Sequence, residues 1–102
     1  IFTVSNEGYL IVIEKNNGNI IRVTDLFKNY KLKKRKNINP VGFVIGNTNL
    51  YLTNTDGKMI VVDLSLGDIK KIEKISGDFI SRPFIFNQNL FVIRNGSIIQ
   101  YN

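Results

Sequence analysis

The residues that could do chemistry in this chain are its eight carboxylates and fourteen basic side chains, because the sequence holds no His and no Cys. Without His, the commonest general base and metal ligand near neutral pH is missing. Without Cys there is no thiolate nucleophile, no thiol-based zinc set and no disulfide framework. The carboxylates do not form a catalytic pair. Asp56, Asp63 and Asp68 fall where Glu7, Glu14 and Asn19 fall in an earlier copy of the same pattern, so they read as repeated turn residues. The glycines never make a GxGxxG or Walker-type loop running into a helix, which removes the usual phosphate cradle. These absences point away from an enzyme, and they leave no residue set for a metal or a cofactor.

One segment keeps a chemical capacity. Lys28, Lys31, Lys33, Lys34, Arg35 and Lys36 supply six of the fourteen basic residues with no acid among them. The remaining eight basic residues balance the eight acidic ones, so the whole formal charge of +6 resides here. Lys31, Lys33, Lys34, Arg35 and Lys36 form a candidate anionic-contact loop, able to meet lipid headgroups at about 1 kcal/mol per charge or to meet phosphates. A solvated connection between strands explains the same run. With no interleaved aromatics the run is a poor nucleic-acid signal, and membrane contact through it would be peripheral. No apolar stretch reaches transmembrane length.

The elements that position these residues are repeated. At an offset of 49, Ile1–Glu14 overlays Leu50–Asp63, and the match continues with Gly18 on Gly67 and Ile20 on Ile69. A third copy starts at Leu90, loses one residue, and resumes at Asn95-Gly96. Its offset from the second is 40, the length of a propeller blade, so the first interval contains an insertion that coincides with the basic run. Units of about 1–27, 41–76 and 80–102 follow, with the insertion at 28–40.

Within each unit, short runs of β-branched and aromatic residues alternate with turn residues, and no helical period is sustained. The pattern predicts an all-β chain with strands near 1–6, 9–15, 19–25, 42–46, 49–55, 58–64, 69–75, 82–87, 90–94 and 97–101. Tight turns are expected at Glu7-Gly8, Gly18, Asn47-Thr48-Asn49, Asp56-Gly57, Gly67, Asn87-Gln88-Asn89 and Asn95-Gly96, with Gly, Asn or Asp taking positive φ in each. Phe2, Tyr51 and Phe91 share one repeat position, which predicts packing between sheets.

An aromatic-led strand, an acidic-Gly turn, an apolar strand ending in Asp and a turn ending in Gly together resemble the pyrroloquinoline-quinone-type β-propeller repeat. The resemblance covers Ile1 to Ile21, Leu50 to Ile72 and, for its first half, Leu90 to Asn102. It implies a propeller segment of four-stranded antiparallel blades, one complete and two incomplete. Proteins with this repeat include quinone-dependent dehydrogenases and non-catalytic scaffolds such as the propeller lipoprotein of the bacterial outer-membrane β-barrel assembly machinery. The repeat's docking Trp is replaced by Arg22 and Lys71, and the chain has no Trp with which to stack a quinone. Glu14, Asp63 and Asn102 occupy the repeat's acidic position, where a side-chain oxygen can accept N–H groups of the following turn.

The departures favour a non-catalytic scaffold with protein partners, in the bacterial periplasm or at the outer membrane by resemblance alone. The runner-up is a degenerate quinoprotein domain, and the third reading is an anionic-surface binder. Three units do not close a ring of about four to eight blades. The expectation is therefore an excised part of a longer propeller, or copies that associate through exposed blade faces.

Overall fold

Strand formation follows the alternation of β-branched and aromatic residues with turn residues. In the computed structural model, which describes residues 1–77, 80–94 and 96–101, ten strands and one helical turn form. The strands are β1 (Phe2–Val4), β2 (Tyr9–Ile13), β3 (Ile20–Asp25), β4 (Pro40–Ile45), β5 (Asn49–Asn54), β6 (Lys58–Asp63), β7 (Ile69–Lys74), β8 (Phe84–Phe86), β9 (Asn89–Arg94) and β10 (Ser97–Gln100). The helical turn, α1 (Leu32–Arg35), lies inside the basic insertion. Three antiparallel sheets result, in the orders β1-β2-β3, β4-β5-β6-β7 and β8-β9-β10.

The sequence repeat is realised residue by residue in the pairing. Phe2 pairs with Val12 and Tyr51 with Val61; Val12 pairs with Arg22 and Val61 with Lys71. Both sheets even carry the same register shift, between Val12 and Ile13 and between Val61 and Val62. The third sheet repeats the pattern from the other side, with Phe84 opposite Phe91 as Val44 is opposite Tyr51. A one-residue slip would turn every side chain to the opposite face, so register conserved to the residue means faces conserved to the residue.

Those faces stack. Leu50, Leu52, Ile60 and Val62 of the middle sheet join Leu10, Phe2 and Val4 of the first in one core cluster. From its opposite face, Tyr51, Met59, Val61 and Val44 join Leu90, Val92 and Ile80 in a second. The middle sheet is thus covered on both sides, which is why β6 is a nearly continuous apolar run. The molecule is flattened, 42 × 38 × 19 Å, with a short dimension close to the ~20 Å spanned by a six-residue strand.

Two of the three aromatic positions pack between sheets as expected, and the third packs within its own sheet. Phe2 and Tyr51 pack against the two clusters, and Phe91 stacks on Phe84 with ring centroids 5.5 Å apart. Asp63 caps its turn, its Oδ1 accepting from Ser65 N at 2.9 Å, Leu66 N at 3.1 Å and Ser65 Oγ at 2.7 Å. Glu14 does so only weakly, accepting from Asn16 N at 3.5 Å. Asn95 and Asn102 lie outside the described residues.

Three local expectations fail. The first strand stops at Val4 rather than residue 6, because Ser5 N donates to the Tyr9 carbonyl, its own carbonyl accepts from Gly8 N and its Oγ accepts from Tyr9 N, turning the chain there. The turn at Asn47-Thr48-Asn49 is made without positive φ, whereas at 87–88 both Asn87 (+50°) and Gln88 (+65°) adopt it. β8 is cut to Phe84–Phe86 although 82–87 is expected, since Pro83 has no N–H to add to the ladder.

Sheet-to-sheet docking also uses a side chain of unexpected type. Arg22 lays its guanidinium over Gly67 of the next sheet and donates from Nη2 to the Leu64 carbonyl at 3.1 Å. A methyl group on Gly67 would sit 2.7 Å from Arg22 Cζ. Gly18, the repeat equivalent of Gly67, has the same left-handed backbone, φ +73° against +75°, but nothing within 4 Å of such a methyl. Gly18→Ala should therefore cost only the left-handed backbone penalty, about 1–2 kcal/mol. Gly67→Ala should cost clearly more, and in an Arg22→Ala background its cost should fall to the Gly18→Ala value. Urea unfolding of the four variants measures this, and equal costs for the two glycines in the wild type would refute the docking role.

Candidate anionic-contact site

The basic insertion begins with an anchor. Asp25, ending β3, accepts the Phe27 N–H at 3.0 Å on Oδ1, and Leu26 N donates to the Gly8 carbonyl at 2.8 Å. These bonds turn the chain inward, so Leu26 and Phe27 are fully buried in the first core cluster. Gly8, at φ +92°, has no room for a side chain because the Phe27 ring lies directly on it. Tyr30 meets Phe27 edge to face at 5.5 Å. Arg35 then returns to Asp25 through two hydrogen bonds of 2.6 and 2.8 Å, with its guanidinium 5.5 Å from the Tyr9 ring centre. Ile38 re-enters the core, and Asn39 and Thr55 exchange hydrogen bonds of 2.9 Å. The solvated connection expected from composition is thus solvated only on its outer side. Its inner side is core, because the apolar Leu26 and Phe27 before the charges and Ile38 after them are buried.

This anchoring divides the five candidate residues. Arg35 is committed to Asp25, which holds its guanidinium even more firmly protonated than usual. Lys31, Lys33 and Lys36 are exposed and form no salt bridge among the described residues. Lys34 turns back over the Tyr30 ring, its Nζ 5.4 Å from the centroid. There it meets two lysines from outside the insertion. Lys58 Nζ lies 5.5 Å from the same ring, and Lys58 is the cross-strand partner of Lys74.

Lys34, Lys58 and Lys74 therefore form a like-charge cluster with Asp56 as the nearby countercharge. The Lys34 ammonium and partial desolvation hold Lys58 below its usual range, Lys74 adds to this, and Asp56 opposes it. Beneath them Tyr30 is pushed up to about 12, first by burial and then by the Asp56 carboxylate. Among the described residues, its hydroxyl, Asp56 Oδ2 and the side-chain amide of fully buried Asn54 have no hydrogen-bond partners. Chemically the cluster offers three mobile ammonium donors that repel one another, an arrangement relieved by a multiply charged anion. Lys58 and Lys74 were missed in the sequence because they sit in ordinary strand positions. Their like charges facing across the β6–β7 pair were the available signal.

A second concave feature, a cleft of about 450 Å³, lies between the β4–β5 turn and β8, lined by Val44, Thr48, Tyr51, Ile85, Gln88 and Leu90 among others. No carboxylate or cation lines it. Among the described residues there is also no group of three or more His, Cys, Asp or Glu able to hold a metal ion. Neither protein-family models nor curated proteins give a match to this chain.

The cluster makes a pH-dependent prediction. A lysine whose folded pKa is depressed opposes folding fully below that depressed value, and the opposition fades as pH rises from there to the ordinary lysine value. Lys34→Gln should raise the Lys58 titration toward the ordinary lysine range, read by NMR at the Lys58 side chain. An unchanged Lys58 titration would separate the two ammonium groups.

Proposed function

We propose that this chain is a segment of a β-propeller that serves as a non-catalytic scaffold for protein partners. The observation that carries this reading is that three sheets repeat one pairing register and stack face to face with one polarity. Successive sheets of a propeller are built in that way. Arg22 supports it by bridging consecutive sheets at the place where the resembled repeat has its docking Trp. Half-buried Phe2 and Tyr51 have structural work to do between sheets, and Phe91 at the same repeat position stacks on Phe84 within its own sheet, which weighs against use as ligand-stacking residues. A scaffold acts through surface that the fold does not consume, and here the exposed connections and the outer sheet faces provide it. An envelope location rests on resemblance to the outer-membrane assembly scaffold and on nothing else.

A second reading has one specific observation in its favour. The Lys34, Lys58 and Lys74 cluster draws charge from three separate segments onto one spot, as an anionic partner surface would require.

The dehydrogenase-type alternative predicts that pyrroloquinoline quinone with calcium raises the melting temperature, since a ligand that binds only the folded state stabilises it by RT ln(1 + [L]/Kd). Calorimetry at saturating quinone should show no shift. A rise of several degrees would replace the scaffold reading with a cofactor-binding one.

A further inference from the structure

The stacking of the three sheets has a direction. In both internal interfaces, one sheet presents the face that includes the Phe2 or Tyr51 position, and the next presents the face that includes the Leu50 or Leu90 position. The first sheet therefore keeps one face uncovered, and so does the third, and the two are of opposite kind.

The residues of these outer faces are identified by the repeat. On the first sheet, Ile1, Ile11, Ile13, Ile20 and Val23 stand where the middle sheet has Leu50, Ile60, Val62, Ile69 and Ile72. All five of the latter belong to, or pack against, the core cluster covered by the first sheet. Ile1 and Ile20 are instead well exposed. On the third sheet, Phe84, Phe91, Ile93 and Ile98 stand where the middle sheet has Val44, Tyr51, Thr53 and Met59, the face that covers its neighbour. Ile93 and Ile98 are exposed there, as is Phe86 beside them. A single chain thus carries both halves of a junction that it already makes twice within itself.

Resting on the propeller-segment reading, we infer that two copies of this chain associate head to tail, the β8–β10 outer face of each covering the β1–β3 outer face of the other. Two copies of three sheets give six, inside the range of about four to eight that closes such rings. The contact is heterologous, unlike surfaces meeting, and two equivalent contacts close it. The occupant of each face is a sheet of the chemistry that the internal junctions use, so no new type of packing is introduced.

Light scattering after size exclusion should return twice the 11.7 kDa mass of one chain. Val23 is 53% exposed and Ile98 68%, so Val23→Glu and Ile98→Glu place charges that the lone chain can solvate without loss of fold. Each variant alone should run as one chain with unchanged circular dichroism. An equimolar mixture should regain the mass of two, because one junction then unites the two unmodified faces. Should either variant misfold, Ile20→Gln and Phe86→Ser test the same two faces. A single-chain mass for the wild type at every concentration overturns the inference. So does a dimer lost with Val23→Glu but kept with Ile98→Glu, which would mean that like faces meet. If the wild type is monomeric while the Arg22–Gly67 coupling holds, the pairing of copies fails and the stacked-sheet reading stands; loss of that coupling removes the reading itself.

Discussion

A sheet that is apolar on both faces has no side to give to water, and the β4–β7 sheet is of this kind. Leu50, Leu52, Ile60 and Val62 point one way and Tyr51, Met59 and Val61 the other, all within two adjacent strands. Such a sheet is stable only between two others. The first and third sheets exist in this chain as covers for it, each lacking one strand of the full four. The insertion is drawn into the same logic. Leu26, Phe27 and Ile38 fill the first core cluster, and the lysines between them are carried to the outside as a consequence.

The strands and their pairing were legible because both depend on a period of two and on turn residues close in sequence. All ten strands fall within a few residues of their expected bounds, and the 49-residue offset reappears as identical register, bulge included. Non-local facts were less accessible. That Lys34 meets Lys58 over Tyr30 requires the insertion to fold back on the β5–β6 turn, which is decided by the burial of Phe27 and by the grip of Asp25 on Arg35. Neither leaves a mark in composition or spacing. A count of charges therefore marks the segment without showing which side chains from elsewhere meet it. Three of the five candidate residues remain exposed and unbridged, and one is consumed structurally.

Arg22 couples the first two sheets through a charged side chain. A planar guanidinium over a glycine offers a flat, weakly hydrated surface and an N–H donor. Leu64 supplies the carbonyl and Gly67 the clearance. Among the described residues the buried Nε of Arg22 has no partner, so the guanidinium is only partly satisfied there. Lys71, at the equivalent position in the next unit, forms a local ion pair with Glu73 at 2.7 Å.

Because both internal junctions join the same two kinds of apolar face, the outer faces are independent of how many units lie between them. A unit duplicated or deleted in the middle would leave both ends chemically unchanged, and each new junction would already be solved. The basic insertion obeys the same rule from outside: it lengthens a connection between units and leaves their shared register untouched.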